Sequence, residues 1–168
     1  RTYPKERAAC QIIGFTGVDN NGLSGIELLY ENILKGNPGR AVLQKTATFE
    51  AFVRAEYPII PPENGHDVVL TIDYRYQRIA ETELRRTIVE NSADSGVVVI
   101  MNPGTGQILA MAGEPSFNPN QAGKFNPASW RLRAVTDMYE PGSTFKIVLM
   151  SSLLNEDLYT PDDSVFCE

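Results

Sequence analysis

Gly96-Val97-Val98-Val99-Ile100-Met101-Asn102-Pro103-Gly104-Thr105-Gly106-Gln107-Ile108-Leu109-Ala110-Met111-Ala112 sets two apolar runs around a cluster of Asn, Pro and Gly. The β-branched run suits a pleated, half-buried surface, and Pro103 with Gly104 and Gly106 favours a turn. The reading is a β-hairpin with strands over Gly96 to Met101 and Gln107 to Ala112. Upstream, Asp67-Val68-Val69-Leu70-Thr71-Ile72 is a strand candidate that ends at Asp73, a residue suited to cap the next helix. That helix carries Tyr76, Ile79, Ala80, Leu84 and Ile88 at three-and-four spacing, which predicts one buried face. Downstream, Glu114 to Pro127 is rich in Pro, Asn and Gly and reads as a long surface loop. A last helix is expected from near Ser143 through Ile147-Val148-Leu149-Met150 to Leu153-Leu154, apolar enough to be central and buried.

Towards the amino end, short apolar runs alternate with glycine as far as about Arg40. Gly25 to Leu34 predicts a short amphipathic helix with Ser24 as N-cap and a stop at Gly36 and Pro38. Ala41 to Val53 is mixed and able to hold strands. Tyr57 to Gly65 contains three prolines and a glycine, so it is read as an extended crossing, and the boundary between two structural units is placed there.

With 42% hydrophobic and 21% charged residues, this chain of 168 residues falls among globular proteins, which excludes disorder and a fibrous fold. A net charge of -6 and no dense basic cluster leave no expected role for nucleic acid. The longest apolar stretches fall far short of the ~20 residues of a membrane helix. The chain opens at Arg1 without a charged and apolar leader, so any anchor is expected outside it. Cys10 and Cys167 lie near opposite ends with no CxxC partner, which excludes a recognisable zinc site; they read as small buried hydrophobes, with a disulfide still open. A lone histidine, His66 in the crossing, does not support a Ser-His-Asp or Cys-His mechanism. Neither a metal nor a cofactor is expected.

The chemistry centres on Glu140-Pro141-Gly142-Ser143-Thr144-Phe145-Lys146, which holds the pattern S-x-x-K. Positions three apart share a helix face, so Lys146 can bring its amine to the Ser143 hydroxyl. Serine is a weak nucleophile until a neighbouring base accepts its proton, and burial against Ile147-Val148-Leu149 would favour the neutral amine that can do so. Free backbone N–H groups at the helix start would face a developing oxyanion. By itself the pattern is common, because a serine there is ordinarily a cap and a first-turn lysine ordinarily solvated.

The surroundings decide. Arg1-x-Tyr3-Pro4, Ile13-Gly14-Phe15, Gly22-Leu23-Ser24-Gly25-Ile26-Glu27, Leu70-Thr71-Ile72-Asp73 with Gln77, Asn102-Pro103-x-Thr105-Gly106-x-Ile108-Leu109-Ala110-Met111, Pro115-Ser116-Phe117-Asn118-Pro119-Asn120 and Tyr139-Glu140-Pro141-Gly142-Ser143-Thr144-x-Lys146 follow one another in this order. Together they resemble the class B penicillin-binding proteins, nearest to the septal cell-division members with the elongation members close, and S-x-x-K is a signature of that family. The resemblance implies an α+β fold: part of a pedestal (dimerisation) region over 1–65, then the N-terminal portion of a penicillin-recognising, β-lactamase-like transpeptidase domain over 66–168. It implies a serine D,D-transpeptidase of peptidoglycan synthesis, with Ser143 the nucleophile acylated by D-Ala-D-Ala stem peptides or by β-lactams and Lys146 the base. Arg1, Glu27 and Asp73 are expected to be structural, with Arg1 and Glu27 pairing. Expected partners are stem peptides, β-lactam antibiotics and proteins of the cell-wall synthesis complex, at the outer face of a bacterial inner membrane to which an N-terminal helix anchors the parent.

Two departures qualify the resemblance. Arg131-Leu132-Arg133-Ala134 stands where relatives often carry Asn-Arg-Ala, and the S-x-N and K-T-G motifs are expected beyond Glu168, so the segment alone is expected to be inert towards penicillin. Ser-Thr-Phe-Lys also resembles class D β-lactamases and β-lactam sensor domains, but those do not resemble Arg1 to Glu27. A non-catalytic scaffold or partner-binding module is the alternative of another class.

Overall fold

The computed structural model describes residues 1–41, 43–45, 51–53 and 59–164. The chain divides into two compact units, Arg1–Thr136 and Asp137–Glu168. In the first unit the order is α1 (Cys10–Ile13), α2 (Gly25–Leu29), α3 (Glu31–Leu34), β1 (Leu43–Lys45), β2 (Ala51–Val53), α4 (Tyr74–Glu90), β3 (Gly96–Met101), β4 (Ile108–Glu114) and α5 (Arg133–Thr136). The mixed segment from Ala41 holds an antiparallel pair, Leu43 facing Val53, and the carboxyl half of the Pro-rich crossing pairs singly with the segment before it, Ile60 with Arg40 and Glu63 with Asn37. Tyr57 and Pro58 of that crossing lie outside the described residues.

The hairpin is antiparallel, with Val97 opposite Gly113 and Val99 opposite Met111, and one irregularity between Ile100 and Met101 where the turn begins. Its second strand starts at Ile108 and runs to Glu114, two residues beyond the expected end. Strand alternation sends Val98 and Ile100 inward and leaves Val97, Val99 and Met101 exposed. α4 lies on this pair and buries Ala80 and Leu84 against Ala110 and Ala112, with Ile88 at the margin. Alanines on β4 keep the helix close. Gly96 does the same, since a Cβ there would lie 2.9 Å from Leu84 Cδ1.

The buried face of α4 is not quite the expected one. Tyr76 and Ile79 are exposed, and the face runs through Gln77, Ala80 and Leu84. Gln77 is 1% exposed, and its amide closes on both backbone groups of one β4 residue: Met111 N–H donates to Oε1 (2.8 Å) and Nε2 donates to Met111 O (3.0 Å). Nε2 also donates to Glu81 Oε1, whose same oxygen accepts from Ala9 N–H at 2.7 Å. Every polar atom involved is satisfied, which is what allows a carboxamide at a core position.

Asp67 to Ile72 forms no strand. The segment and the residue after it reach β4 by two hydrogen bonds, from Thr71 Oγ1 to Ile108 O and from Asp73 N–H to Leu109 O. Its β-branched residues express a packing preference, and without a ladder partner that preference makes no strand. The single helix expected over Gly25 to Leu34 is broken at Tyr30 into α2 and α3, and Ser24 holds the extended backbone of an N-cap without its hydroxyl capping anything. The entry to α2 is fixed by close approach instead. A Cβ on Gly14 would stand 1.9 Å from Ser24 O, and one on Gly25, at φ +58°, 2.4 Å from Ile12 O. Only glycine permits that contact between backbones.

Glu114 to Pro127 is not a surface loop. Phe117 is fully buried in a second core with Cys10, Phe15 and Ala122, flanked by Tyr3, Phe125 and Trp130. Phe15 meets Phe117 and Trp130 edge-on, at centroid distances of 5.7 and 4.9 Å. The segment winds into two 3₁₀ turns, Pro119–Lys124 and Pro127–Trp130, capped by Asn118 and Asn126 with proline in each first turn. Gln11, also buried, donates from Nε2 to Pro115 O (3.1 Å) and Ser129 O (3.0 Å), tying both ends of the segment to α1.

In the second unit a 3₁₀ turn, Gly142–Phe145, runs directly into α6 (Lys146–Asn155). The start agrees with the expected helix, but the expected burial is absent: Ile147, Val148, Leu149 and Met150 are all exposed. A helix apolar on every side needs cover on every side, and among the described residues of this unit the preceding turn is the element that packs on it.

Phe117→Ala, which empties the centre of the second core, is expected to destabilise the first unit by ~3–5 kcal/mol, whereas Val69→Ala at an exposed position should stay within ~0.5 kcal/mol. Urea unfolding followed by tryptophan fluorescence reads both.

Candidate active site

The expected nucleophile and base are held by local backbone geometry. Pro141 takes a helical conformation, Gly142 turns left-handed at φ +54°, and Ser143 begins the winding. Thr144 closes the turn on Pro141 O twice, by its N–H at 3.2 Å and by its hydroxyl. Lys146 N–H reaches back to Ser143 O, an i to i+3 bond, and Lys146 is itself the first residue of α6. The spacing therefore falls on a 3₁₀ turn and not on a full α-turn. In regular 3₁₀ winding side chains at i and i+3 eclipse, and here Ser143 stands within the turn with Lys146 three residues on, where the turn passes into α6.

Both residues are exposed, as is every residue from Tyr139 to Met150. The apolar surround expected to favour a neutral Lys146 is thus not supplied by the described part of this unit. Further along α6, Ser151 and Ser152 donate their hydroxyls to Ile147 O and Val148 O, the back-bonding usual for serine inside a helix.

The three expected structural residues lie in the first unit. Arg1 forms an ion pair with Glu27, a residue only 7% exposed, and the Tyr3 hydroxyl donates to the other Glu27 oxygen at 3.4 Å. That hydroxyl accepts from Thr16 N–H at 2.9 Å, and burial raises the phenol above its ordinary pKa. A carboxylate this buried requires partners. Asp73 caps α4 by accepting from Arg75 N–H at 2.8 Å and pairs with the Arg75 guanidinium at the same distance. Those bonds, led by the guanidinium, hold its carboxyl down to about 2.

Cys10 is a free thiol pushed up to about 11 by burial, while Cys167 lies outside the described residues. His66 is exposed and gives its backbone N–H to Ile33 O. Among the described residues no cluster of three or more His, Cys, Asp and Glu side chains could hold a metal ion, and no helix is long and apolar enough to cross a membrane. A cavity of about 600 Å³ bordered by Asn20, Lys35, Asn37 and Glu63 lies in the first unit and holds no nucleophile with a base beside it. Sequence reasoning missed Gln11 and took Gln77 only as a member of the motif series, not as a buried group, yet their carboxamides organise the first unit. Nothing in hydropathy separates a buried, fully bonded glutamine from a solvated one.

Residues 96–168 match the model of the penicillin binding protein transpeptidase domain. The chain is 37% identical over 154 residues to the peptidoglycan D,D-transpeptidase FtsI of Buchnera aphidicola, covering 91% of this chain and 27% of that protein. It is 36% identical over 156 residues to the Escherichia coli enzyme of the same name, covering 91% and 26%. Among solved structures, penicillin binding protein 3 of Mycobacterium tuberculosis complexed with aztreonam superposes with a TM-score of 0.78 at 27% identity, covering 98% of this chain and 33% of that one. The chain belongs to the penicillin-binding proteins, class B, and its α+β architecture is the one that those structures share. It spans about a quarter of the length of the curated relatives it matches.

The Asp73 cap has an acid signature. Its carboxyl pKa is lower folded than the ordinary value of ~3.9, so its contribution is complete above that value and is lost as pH falls through about 2. Circular dichroism of wild type should lose α4 helicity across that window. Asp73→Asn, which keeps a cap but not the charge, should flatten this step.

Proposed function

We propose that this chain carries the nucleophile segment of a peptidoglycan D,D-transpeptidase, with residues 1–65 in the pedestal region and 66–168 opening the transpeptidase domain. The observation that carries the reading is the 3₁₀ turn that places Ser143 three residues before Lys146, the first residue of an apolar helix. Ser143 Oγ attacks the carbonyl carbon of the penultimate D-Ala of a stem peptide while its proton passes to the Lys146 amine, which acts as the base. The C–N bond to the terminal D-Ala breaks, that residue leaves with the proton, and an amine of a second stem peptide then takes the acyl group and frees Ser143. A backbone N–H at the start of the turn, ahead of those that Thr144 and Lys146 commit to Pro141 O and Ser143 O, stabilises the developing oxyanion. A β-lactam acylates the same oxygen and stays.

The names of the relatives support this reading over a lactamase, because the matched stretch takes in nine-tenths of the chain and not the serine segment alone. Similarity to FtsI proteins favours a place in septal wall synthesis, among other proteins of that complex, at the extracytoplasmic face of the inner membrane and with the parent anchored there.

Treating the whole protein with a fluorescent penicillin and mapping the adduct by mass spectrometry should place it on the peptide containing Ser143; a label on any peptide without Ser143 overturns the assignment. Lys146→Arg should keep the fold and slow acylation by ~10²–10⁴, since arginine stays protonated and cannot serve as the base. A variant that keeps more than about a tenth of the wild-type rate would remove Lys146 from that role.

A further inference from the structure

Gly142 and the residue it precedes raise a question that the S-x-x-K pattern does not answer, namely what fixes the direction of the Ser143 side chain. Most left-handed glycines of this chain are short of room. At Gly14, Gly25 and Gly36 a Cβ would stand 1.9, 2.4 and 2.3 Å from a backbone carbonyl oxygen. At Gly142, with φ +54°, a Cβ would meet nothing within 4 Å. Space is therefore not what this position requires; the left-handed backbone is.

The geometry gives that conformation a task. Pro141 is right-handed, and the winding after Gly142 is right-handed too, so the chain reverses its twist at one residue. The rotation about Gly142 sets the orientation of the peptide joining it to Ser143, and hence the start of the turn that leads from Ser143 to Lys146. Thr144 fastens the other side of the reversal to Pro141 O. An ordinary L-residue would relax towards negative φ and turn Ser143 off that path.

We infer that Gly142 is a positioning residue for Ser143, and that its left-handed backbone, not its small size, holds the hydroxyl in register with Lys146. This rests on Ser143 being the acylated nucleophile. Alanine and asparagine separate the two properties, because alanine is the smaller of the two while asparagine tolerates the left-handed region better.

The test uses the whole protein and a fluorescent penicillin, with the first-order acylation rate and the preceding non-covalent Kd measured separately. Gly142→Ala should lower the rate roughly five- to thirtyfold with Kd unchanged, and Gly142→Asn should recover most of the loss. Gly106→Ala, in the hairpin turn at φ +74° with equally open space, should lower thermal stability and leave the acylation rate at the wild-type value. Should Gly142→Ala fail to fold, Gly142→Ser supplies the same comparison with asparagine. A wild-type rate in Gly142→Ala, an asparagine variant no faster than alanine, or an equal slowing by Gly106→Ala overturns the inference while the Ser143 assignment stands. A wild-type adduct away from Ser143 removes both.

Discussion

The outer edge of β4 is the constraint on which the first unit depends. A two-stranded hairpin leaves one row of peptide groups on each side without a ladder, and buried peptide groups must find partners. Here the partners are improvised from three directions. Asp73 N–H takes Leu109 O, the Gln77 amide takes both groups of Met111, and just beyond the strand end the Gln11 amide takes Pro115 O. Each bond recruits another element: the start of α4, the body of α4 and α1. The residues before the Pro-rich crossing and those after it are thereby joined along one strand.

The second unit depends on a much smaller device. One left-handed glycine and a 3₁₀ turn set Ser143 three residues ahead of Lys146 at the head of α6. That local geometry rests on backbone conformation and on the bonds that Thr144 makes to Pro141.

The parts legible in the sequence were those with strong local signals. The hairpin follows from its β-branched run and its Pro-Gly turn, and α4 begins where Asp73 caps it. The ordered series of short motifs led to the family that the comparisons show. What escaped was set by distant partners. Asp67 to Ile72 has strand composition but no ladder, and Phe117 is buried because Cys10 and Phe15, a hundred residues earlier, cover it. Gln77 occupies a core position that a count of apolar residues assigns to its neighbours Tyr76 and Ile79. The spacing of Ser143 and Lys146 was legible; that it falls on a 3₁₀ turn was not, since the pattern fits either winding.

The buried thiol of Cys10 gives the first unit an internal stopwatch. Alkylating reagents attack only the thiolate, and here both the raised pKa and the covering of Phe117 and Phe15 withhold it. Modification must await an opening that parts residues 1–15 from the segment behind β4, so the pace of alkylation in a chain whose other cysteine has been replaced reports how often the clasp made by Gln11 lets go.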